Sequence, residues 1–579
     1  MTLIAGIVSR RNRPIPSSAS DNLRQSISRH LGDQVAVFKD EFSYFVKVDI
    51  EAFGEPGFLV EPNGTLSLLT GEPLLVRDDE ASWHGRQQDL KLIHEDYVRG
   101  GSGQLHQAVG TFSMVNYQPA ARALSLIADK VGVRPLYYWA DEDYFVFASA
   151  LRILEGLPLV SKEMDVVAVS EIVTLGAPLR GRTPYSTISA LKSAEIIQVI
   201  HGEISSRYYW RWDEIQTPTT SEQEDLRRVY SRFLNSVTRR IRDDQSTVAY
   251  LSGGLDSRCV TAALVDRRVR VLTFNFARPG TQDYFFGNSF AQQIGTIHQS
   301  IPKDAGDYLP DYSLMLARAL GTNHSRENAT RPSLVWSGEG GSVLLGHVHM
   351  NQAIVDFMRA DKRDQAIEEF CRCESVHLSS KLLRPKISGT LLDAIKEDIR
   401  SELKETHSVD PARNFYLFLL RNDQRRKLAS QFENIDVHRL EFQLPFFDSE
   451  FLAAIYSVPI ERCLYHRFYT ELLALFPRVV TSVPWQVYPG HEPCPLPIPA
   501  GLTYQWSGDR GGKTGGLKRR LIKKEAAKLL RARDFPHKII SKRNLRLAAW
   551  IHSMGWRDYE HVVKAANIYH TYWRVCSTS

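Results

Sequence analysis

The segment from Thr247 to Phe276 constrains this chain more than any other. Thr247 to Leu251 is a short apolar run of strand type, Ser257 to Val265 has helical spacing, and Val269 to Phe276 is a second apolar strand. Strand, helix and strand in about 30 residues make a βαβ unit, which calls for a parallel sheet. Between the first strand and the helix lies Ser252-Gly253-Gly254-Leu255-Asp256-Ser257. Two glycines let the backbone turn tightly and bring bare N–H groups to an anion. The hydroxyls add donors, and a helix beginning near Ser257 points its positive end at the same place. Asp256 would repel a phosphate unless a cation stood between them, so the string implies Mg²⁺ with Asp256 as its ligand. It is not the GxxxxGK[ST] loop. Gly512-Lys513-Thr514 mimics the end of that motif, but Ser507 stands where its first glycine belongs.

A chain of 579 residues exceeds one hydrophobic core. The first 200 residues read as strands and turns: Tyr44 to Val48, Thr65 to Leu69, Ala123 to Ile127 and Tyr144 to Ala148 are β-type runs. Thr217-Pro218-Thr219-Thr220 reads as a linker. Ser221 and Glu224 then form a capping box, and Leu226, Val229, Tyr230, Phe233, Val237 and Ile241 fall at helical spacing. The expected division is residues 1–205, a linker 206–220, and an α/β domain 221–579 that ends in a basic helical segment, 510–579.

Composition excludes several classes. Hydrophobic residues are 43% and charged residues 24%, so the chain is neither disordered nor coiled-coil. No apolar run reaches the 18 or so residues of a membrane span; Phe415 to Leu420 is among the longest. The N-terminus lacks the pattern of a signal peptide, which places the expected location in the cytoplasm. Six cysteines without a CxxC argue against a zinc ribbon or a disulfide framework. Net charge is +6, with a local +12 between Arg510 and Arg546. That basic stretch suits either a solvated helix or a polyanion.

The string SGGLDS after an apolar strand resembles the pyrophosphate loop of ATP pyrophosphatases, which cleave ATP between the α and β phosphates. Other strings narrow the resemblance. Ala128 to Tyr138 and Phe145-Val146-Phe147-Ala148-Ser149 are similar to the glutaminase-like domain of class B asparagine synthetases. Ser337-Gly338-Glu339-Gly340, and Leu440-Glu441 through Asp448, resemble two motifs of the synthetase domain. The likeness runs from residue 2 to about 490. It implies an α+β N-terminal Ntn sandwich followed by an α/β ATP-pyrophosphatase domain with a parallel sheet. It also implies that Ser252, Gly253, Gly254, Asp256, Ser257 and Gly338 bind ATP and its pyrophosphate.

Departures from the family pattern are as informative. Glutamine-hydrolysing members carry Cys after the initiator Met, where this chain has Thr2. Their Asn-Gly-Glu reads Thr70-Gly71-Glu72, the Asp before Gly-x-Phe reads Val109, and no arginine lies between Arg29 and Arg77. The N-terminal domain is therefore expected to be a degenerate glutaminase serving as a structural cover. Relatives without glutaminase activity include β-lactam synthetases and lasso-peptide cyclases. Gly338 to Val343, Asn422-Asp423-Gln424-Arg425-Arg426 and Pro484 to Pro495 look like macrolactam synthetases of microcin-type lasso peptides.

The resemblance implies that a side-chain carboxylate of a precursor peptide is adenylated and captured by the peptide's own N-terminal amine. Glu339 and Glu441 stand at the positions implicated as the base; the other reading of each is a structural carboxylate paired with an arginine such as Arg439. Relatives place a second metal-binding Asp where this chain has Ser342, for which Asp283, Glu339 or a water could substitute. The family's late lysine aligns with Trp485 or Gln486, with Arg467, His491 or the Lys513 to Lys528 segment as other cations. ATP, Mg²⁺, the precursor peptide and a leader-peptide protease are the implied cofactors and partners, with no nucleic acid. Competing readings are an ammonia-dependent asparagine synthetase, a β-lactam-type cyclase, an RNA-modifying ATP pyrophosphatase using the basic tail, and a pseudoenzyme scaffold.

Overall fold

The computed structural model describes residues 2–76, 85–218, 220–302, 311–322, 329–374, 382–504 and 513–578. Arg77, Ser507, Arg510 and Gly512, singled out above, lie outside them. The N-terminal region holds two six-stranded antiparallel sheets. Thr2–Ser9 pairs with Ser43–Asp49 on one side and Tyr144–Ala148 on the other. Phe112–Gln118, between Leu66–Gly71 and Ala123–Ala128, belongs to the second sheet. Alternation sorts the side chains: Ile4, Val8 and Phe45 of one sheet meet Leu68, Val115 and Leu126 of the other in an apolar layer. Helix Arg86–Val98 covers the second sheet through Leu90, Ile93 and Tyr97. Leu23 and Ile153 join the core on the outer face of the first. The last strand runs to Tyr208, so the second sheet enters the expected linker.

The second region opens as its sequence indicates. Ser221 Oγ accepts from the Glu224 N–H at 3.3 Å, and the Glu224 carboxylate accepts from the Ser221 N–H at 2.8 Å. They start helix Glu222–Ile241, whose Val229, Phe233 and Val237 are buried. Each such side chain contributes about 1.5–3 kcal/mol. A five-stranded parallel sheet follows, in the spatial order Ile297–Ser300, Arg270–Asn275, Ser246–Tyr250, Leu334–Trp336, Glu441–Gln443. The first strand in sequence is central; the chain builds outward on one side, then returns to the other. This reversal leaves a crevice at the C-terminal ends of Ser246–Tyr250 and Leu334–Trp336, where open α/β sheets bind ligands.

Helices Lys513–Arg531, Lys542–Ser553 and Glu560–Thr578 share a separate apolar core. It takes in Leu382, Leu391 and, from the N-terminal region, Val169. The basic side chains of this unit face outward in part, and Lys518 pairs with Glu560 at 2.6 Å. No described helix is long and apolar enough to cross a membrane.

Candidate active site

Two turns meet at the crevice. Residues 251–255 link strand Ser246–Tyr250 to helix Asp256–Asp266, and Ser337 to Gly340 follow strand Leu334–Trp336. They pack so closely that a Cβ on Gly338 would lie 2.4 Å from the Ser257 nitrogen, and one on Gly253 would lie 2.7 Å from the Asp283 Cα. Glycine is needed at both for steric reasons. Internal bonds set the first turn. Ser257 Oγ accepts from the Ser252 N–H at 2.9 Å, Ser252 Oγ from the Gly254 N–H at 3.2 Å, and Asp283 Oδ1 from the Gly253 N–H at 2.5 Å.

Arg258, fully buried on the helix after this turn, reaches across to the proline-rich loop. It donates to the carbonyls of Val480, Val483 and Pro484 at 2.9, 2.6 and 2.8 Å. The Gln486 N–H bonds the Gly253 carbonyl at 3.0 Å. Trp485, Gln486, Val487 and Tyr488 are thereby held over the phosphate turn. They close a cavity with Ser252, Gly254, Asp256, Ser342 and His466. The Gln486 side-chain nitrogen is buried and has no hydrogen-bond partner among the described residues, so it is a donor available to an incoming anion.

Asp256 lies on the cavity wall in a dense donor set. Ser342 donates to it from its hydroxyl at 2.8 Å and its N–H at 3.0 Å, and the Tyr469 hydroxyl donates at 2.9 Å. Burial raises the Asp256 pKa, and these bonds hold the rise back. Ser342, in the place of a second metal-binding Asp, is thus the partner of the first. Asp283 is occupied in fixing Gly253. No group of three His, Cys, Asp or Glu side chains among the described residues could hold a metal. One carboxylate in a phosphate turn suits a cation that arrives on a nucleotide, since phosphate oxygens and water then supply its other ligands.

Glu339 sits at the same edge of the sheet, 4.0 Å from Lys427 at the end of helix Ala412–Lys427. Desolvation raises the Glu339 pKa; Lys427 opposes it, while Asp423 and Asp256 add to it. With 42% of its side chain exposed, solvent moderates that rise. Lys427 also acts on Asp256 and on Tyr488, whose hydroxyl burial pushes up to about 12. Sequence reasoning missed Lys427, although it directly follows the Asn422 to Arg426 string already singled out. His466 completes the wall; it shares a 2.7 Å Nδ1–Nδ1 bond with His491 and stacks on Tyr469 and Tyr488. Burial, then His491, lowers the His466 pKa to about 3, so it is neutral. Arg467 pairs with Glu492 at 3.6 Å.

Glu441, the other residue expected as a base, is engaged by an arginine. It begins its strand in register with Leu334, at the end opposite the phosphate turn. Its side chain is fully buried and binds both terminal nitrogens of Arg134, at 2.9 and 3.3 Å. Burial is the largest single effect and raises its pKa; the charge of Arg134, its hydrogen bonds and further lowering contributions together bring it below the ordinary value. The pair ties the two halves of the chain together. Arg439, the partner considered from sequence, instead binds Asp33 at 2.6 Å.

The N-terminal region has its own polar cluster. The buried Thr2 hydroxyl donates to Asp49 at 2.6 Å and accepts from Arg86 at 2.8 Å. Arg86, likewise fully buried, also bonds Asp49 and the carbonyls of Glu55 and Leu69. Glu72, the last residue of Thr70-Gly71-Glu72, turns to the other half of the chain and pairs with Arg242 and, at 2.8 Å, Gln443.

Comparison with known proteins gives the same two-part layout. The glutamine amidotransferase domain family matches residues 77–210, and the asparagine synthase family matches residues 228–467. The glutamine-hydrolysing asparagine synthetase 3 of Bacillus subtilis (strain 168) is 22% identical over 377 residues, covering 61% of this chain and 58% of that protein. A putative glutamine-hydrolysing asparagine synthetase of Methanocaldococcus jannaschii is 25% identical over 301 residues, covering 47% of this chain and 56% of its own length. The chain thus spans just over half the length of these curated relatives. Among solved structures, the allosteric regulatory enzyme of purine biosynthesis overlaps 54% of this chain and 82% of its own at 10% identity, with a TM-score of 0.25.

Proposed function

From its similarity to asparagine synthetases over residues 228–467, we propose that the chain is an ATP-dependent, AMP-forming carbon–nitrogen ligase that closes a macrolactam ring in a lasso-type precursor peptide. A side-chain carboxylate oxygen of the peptide attacks the α-phosphorus of ATP, and pyrophosphate leaves. The peptide's N-terminal amine then attacks the acyl carbon of the adenylate. The carbon–oxygen bond to AMP breaks, and the amine proton passes to Glu339.

The observation that carries the ligase reading is the phosphate turn and the Glu339–Lys427 pair at one edge of the parallel sheet. Ser252 and Gln486 offer hydroxyl and amide donors to the leaving pyrophosphate. Mg²⁺ on the nucleotide would neutralise phosphate charge, with Asp256 the residue of the turn to meet it. Lys427, 4.0 Å from Glu339, would supply the positive charge that the family's late lysine brings to an adenylate.

The peptide reading rests on the source of the amine. In the N-terminal region, Arg86 and Asp49 engage Thr2, and Glu72 is spent on Arg242 and Gln443. A domain so filled acts as a cover, and an amine within the substrate itself removes the need for glutamine. The strings around Ser342, Asn422 and Pro484 favour the lasso group among such enzymes. Positioning two parts of one peptide then dominates the second step. The names of the relatives favour a second reading, an ammonia-dependent synthetase acting on free aspartate. One assay separates the two: ATP with leader-cleaved precursor should give AMP, pyrophosphate and a product lighter by one water. AMP formed only with aspartate and ammonium would transfer the chemistry to the second reading.

A further inference from the structure

The C-terminal helical unit turns an apolar ridge to solvent. On helix Lys542–Ser553 the side chains of Leu545, Ala548, Ala549 and His552 are buried and set its inner face. Arg543, Arg546, Leu547 and Trp550 fall at helical spacing on the outer face, and Met554 continues that stripe past the helix end. Leu547 is 53% exposed, Trp550 50%, Met554 53% and Trp556 67%. The Trp550 and Trp556 rings touch edge to face, with centroids 5.1 Å apart. Exposed apolar residues are ordinary one at a time. Four within ten residues, two of them tryptophans in contact, form a patch of the kind that marks an interaction site.

The charge around the ridge selects its partner. Residues 513–578 carry 16 Lys and Arg against Glu525, Asp534, Asp558 and Glu560. Three of those acids are engaged internally: Glu560 by Lys518 and Lys564 at 2.6 and 2.7 Å, Asp534 by His570 at 3.0 Å, and Asp558 by His552 at 3.3 Å. Arg543 and Arg546 stand on the ridge itself and Arg557 follows Trp556. The Arg519 guanidinium lies 3.4 Å from where a Cβ on Gly555 would stand, beside the two tryptophans. We propose that this ridge docks the protein on the surface of an anionic lipid bilayer. The tryptophan rings, Leu547 and Met554 enter the headgroup layer, and the arginines meet lipid phosphates. A second copy of the chain would set one basic face against another. The tryptophan planes cross at 81°, so they lack the parallel faces on which successive bases stack. A ridge also gives a short acidic peptide no groove to lie in.

The surface is independent of the ligase reading and is tested on the full chain without ATP. In flotation, vesicles of phosphatidylcholine mixed with phosphatidylglycerol should carry the protein, and pure phosphatidylcholine vesicles should bind it at least about tenfold more weakly. Added salt should weaken binding to the mixed vesicles. Trp550→Ser with Trp556→Ser should lower affinity for the mixed vesicles at least about tenfold, with the urea midpoint unchanged. Arg543→Gln with Arg546→Gln should weaken binding to the mixed vesicles and leave binding to pure phosphatidylcholine as it was. No flotation at millimolar lipid would overturn the proposal, as would equal binding to the two vesicle types or affinity unchanged in both double variants. A dimer in solution that the serine variant dissolves would assign the ridge to a second copy instead. Tight binding of a single-stranded RNA that the serine variant loses would assign it to nucleic acid.

Discussion

Replacing Glu441 by leucine separates a structural role from a chemical one. Its carboxylate and the Arg134 guanidinium are 0% and 1% exposed and share two hydrogen bonds. Removing either partner takes the bidentate counter-charge from a buried group, which costs about 3–5 kcal/mol. Glu441→Leu and Arg134→Met should each lower the stability of the assembled chain by that amount, read as a fall in the urea midpoint. The double variant removes both charges together, and replacing a buried pair with apolar residues of similar volume is often neutral. Its loss should be at most about 1–2 kcal/mol, giving a coupling energy of several kcal/mol in the cycle. The pair also has a pH signature. The folded-state pKa of Glu441 is depressed below 4.5, so its contribution is complete above that value and is lost as pH falls toward the folded pKa. The double variant should lack that part of the acid loss. A double variant that is stable and binds ATP but turns over no adenylate would refute the structural assignment and restore Glu441 to the chemistry.

Other perturbations address the groups around the phosphate turn and the N-terminal cluster. Glu339 must be ionised to take the amine proton, and Lys427 lowers its raised pKa, so Lys427→Met should move the acid limb of kcat to higher pH. An unmoved limb would exclude Glu339 as the titrating base. Gly338→Ala forces a Cβ to 2.4 Å from the Ser257 nitrogen and should abolish ATP binding while the N-terminal sheets stay folded, as read by titration and near-ultraviolet dichroism. Thr2→Ala should leave ATP-dependent turnover unchanged, because the Thr2 hydroxyl is bound within the N-terminal region. Arg258→Met should raise the KM for ATP at least about tenfold, since it strips three carbonyl partners from the loop that roofs the cavity.

What was legible in the chain was local. The phosphate turn, the Ser221–Glu224 box and the buried stripe Val229, Phe233 and Val237 depend on neighbours a few residues apart. The role of Glu441 was not legible, because Arg134 is 307 positions away and only the fold selects it over the nearby Arg439. Lys427 escaped for a related reason: a helix ending beside Glu339 brings it to a place that alignment to a late loop would never indicate. The cluster at Thr2 has the same character. Arg86, beyond the stretch where a glutamine-binding arginine was sought, reaches the Thr2 hydroxyl from a helix of its own. Pairwise chemistry between distant segments is set by topology, and only the three-dimensional arrangement reveals it.

The most direct measurement follows oxygen. With ¹⁸O in the acceptor carboxylate of the precursor, adenylation at the phosphate turn transfers one labelled oxygen to AMP when the amine displaces it. Mass spectrometry should find AMP heavier by a single ¹⁸O and in step with cyclised product. Label appearing in inorganic phosphate, with ADP as the nucleotide product, would contradict cleavage between the α and β phosphates.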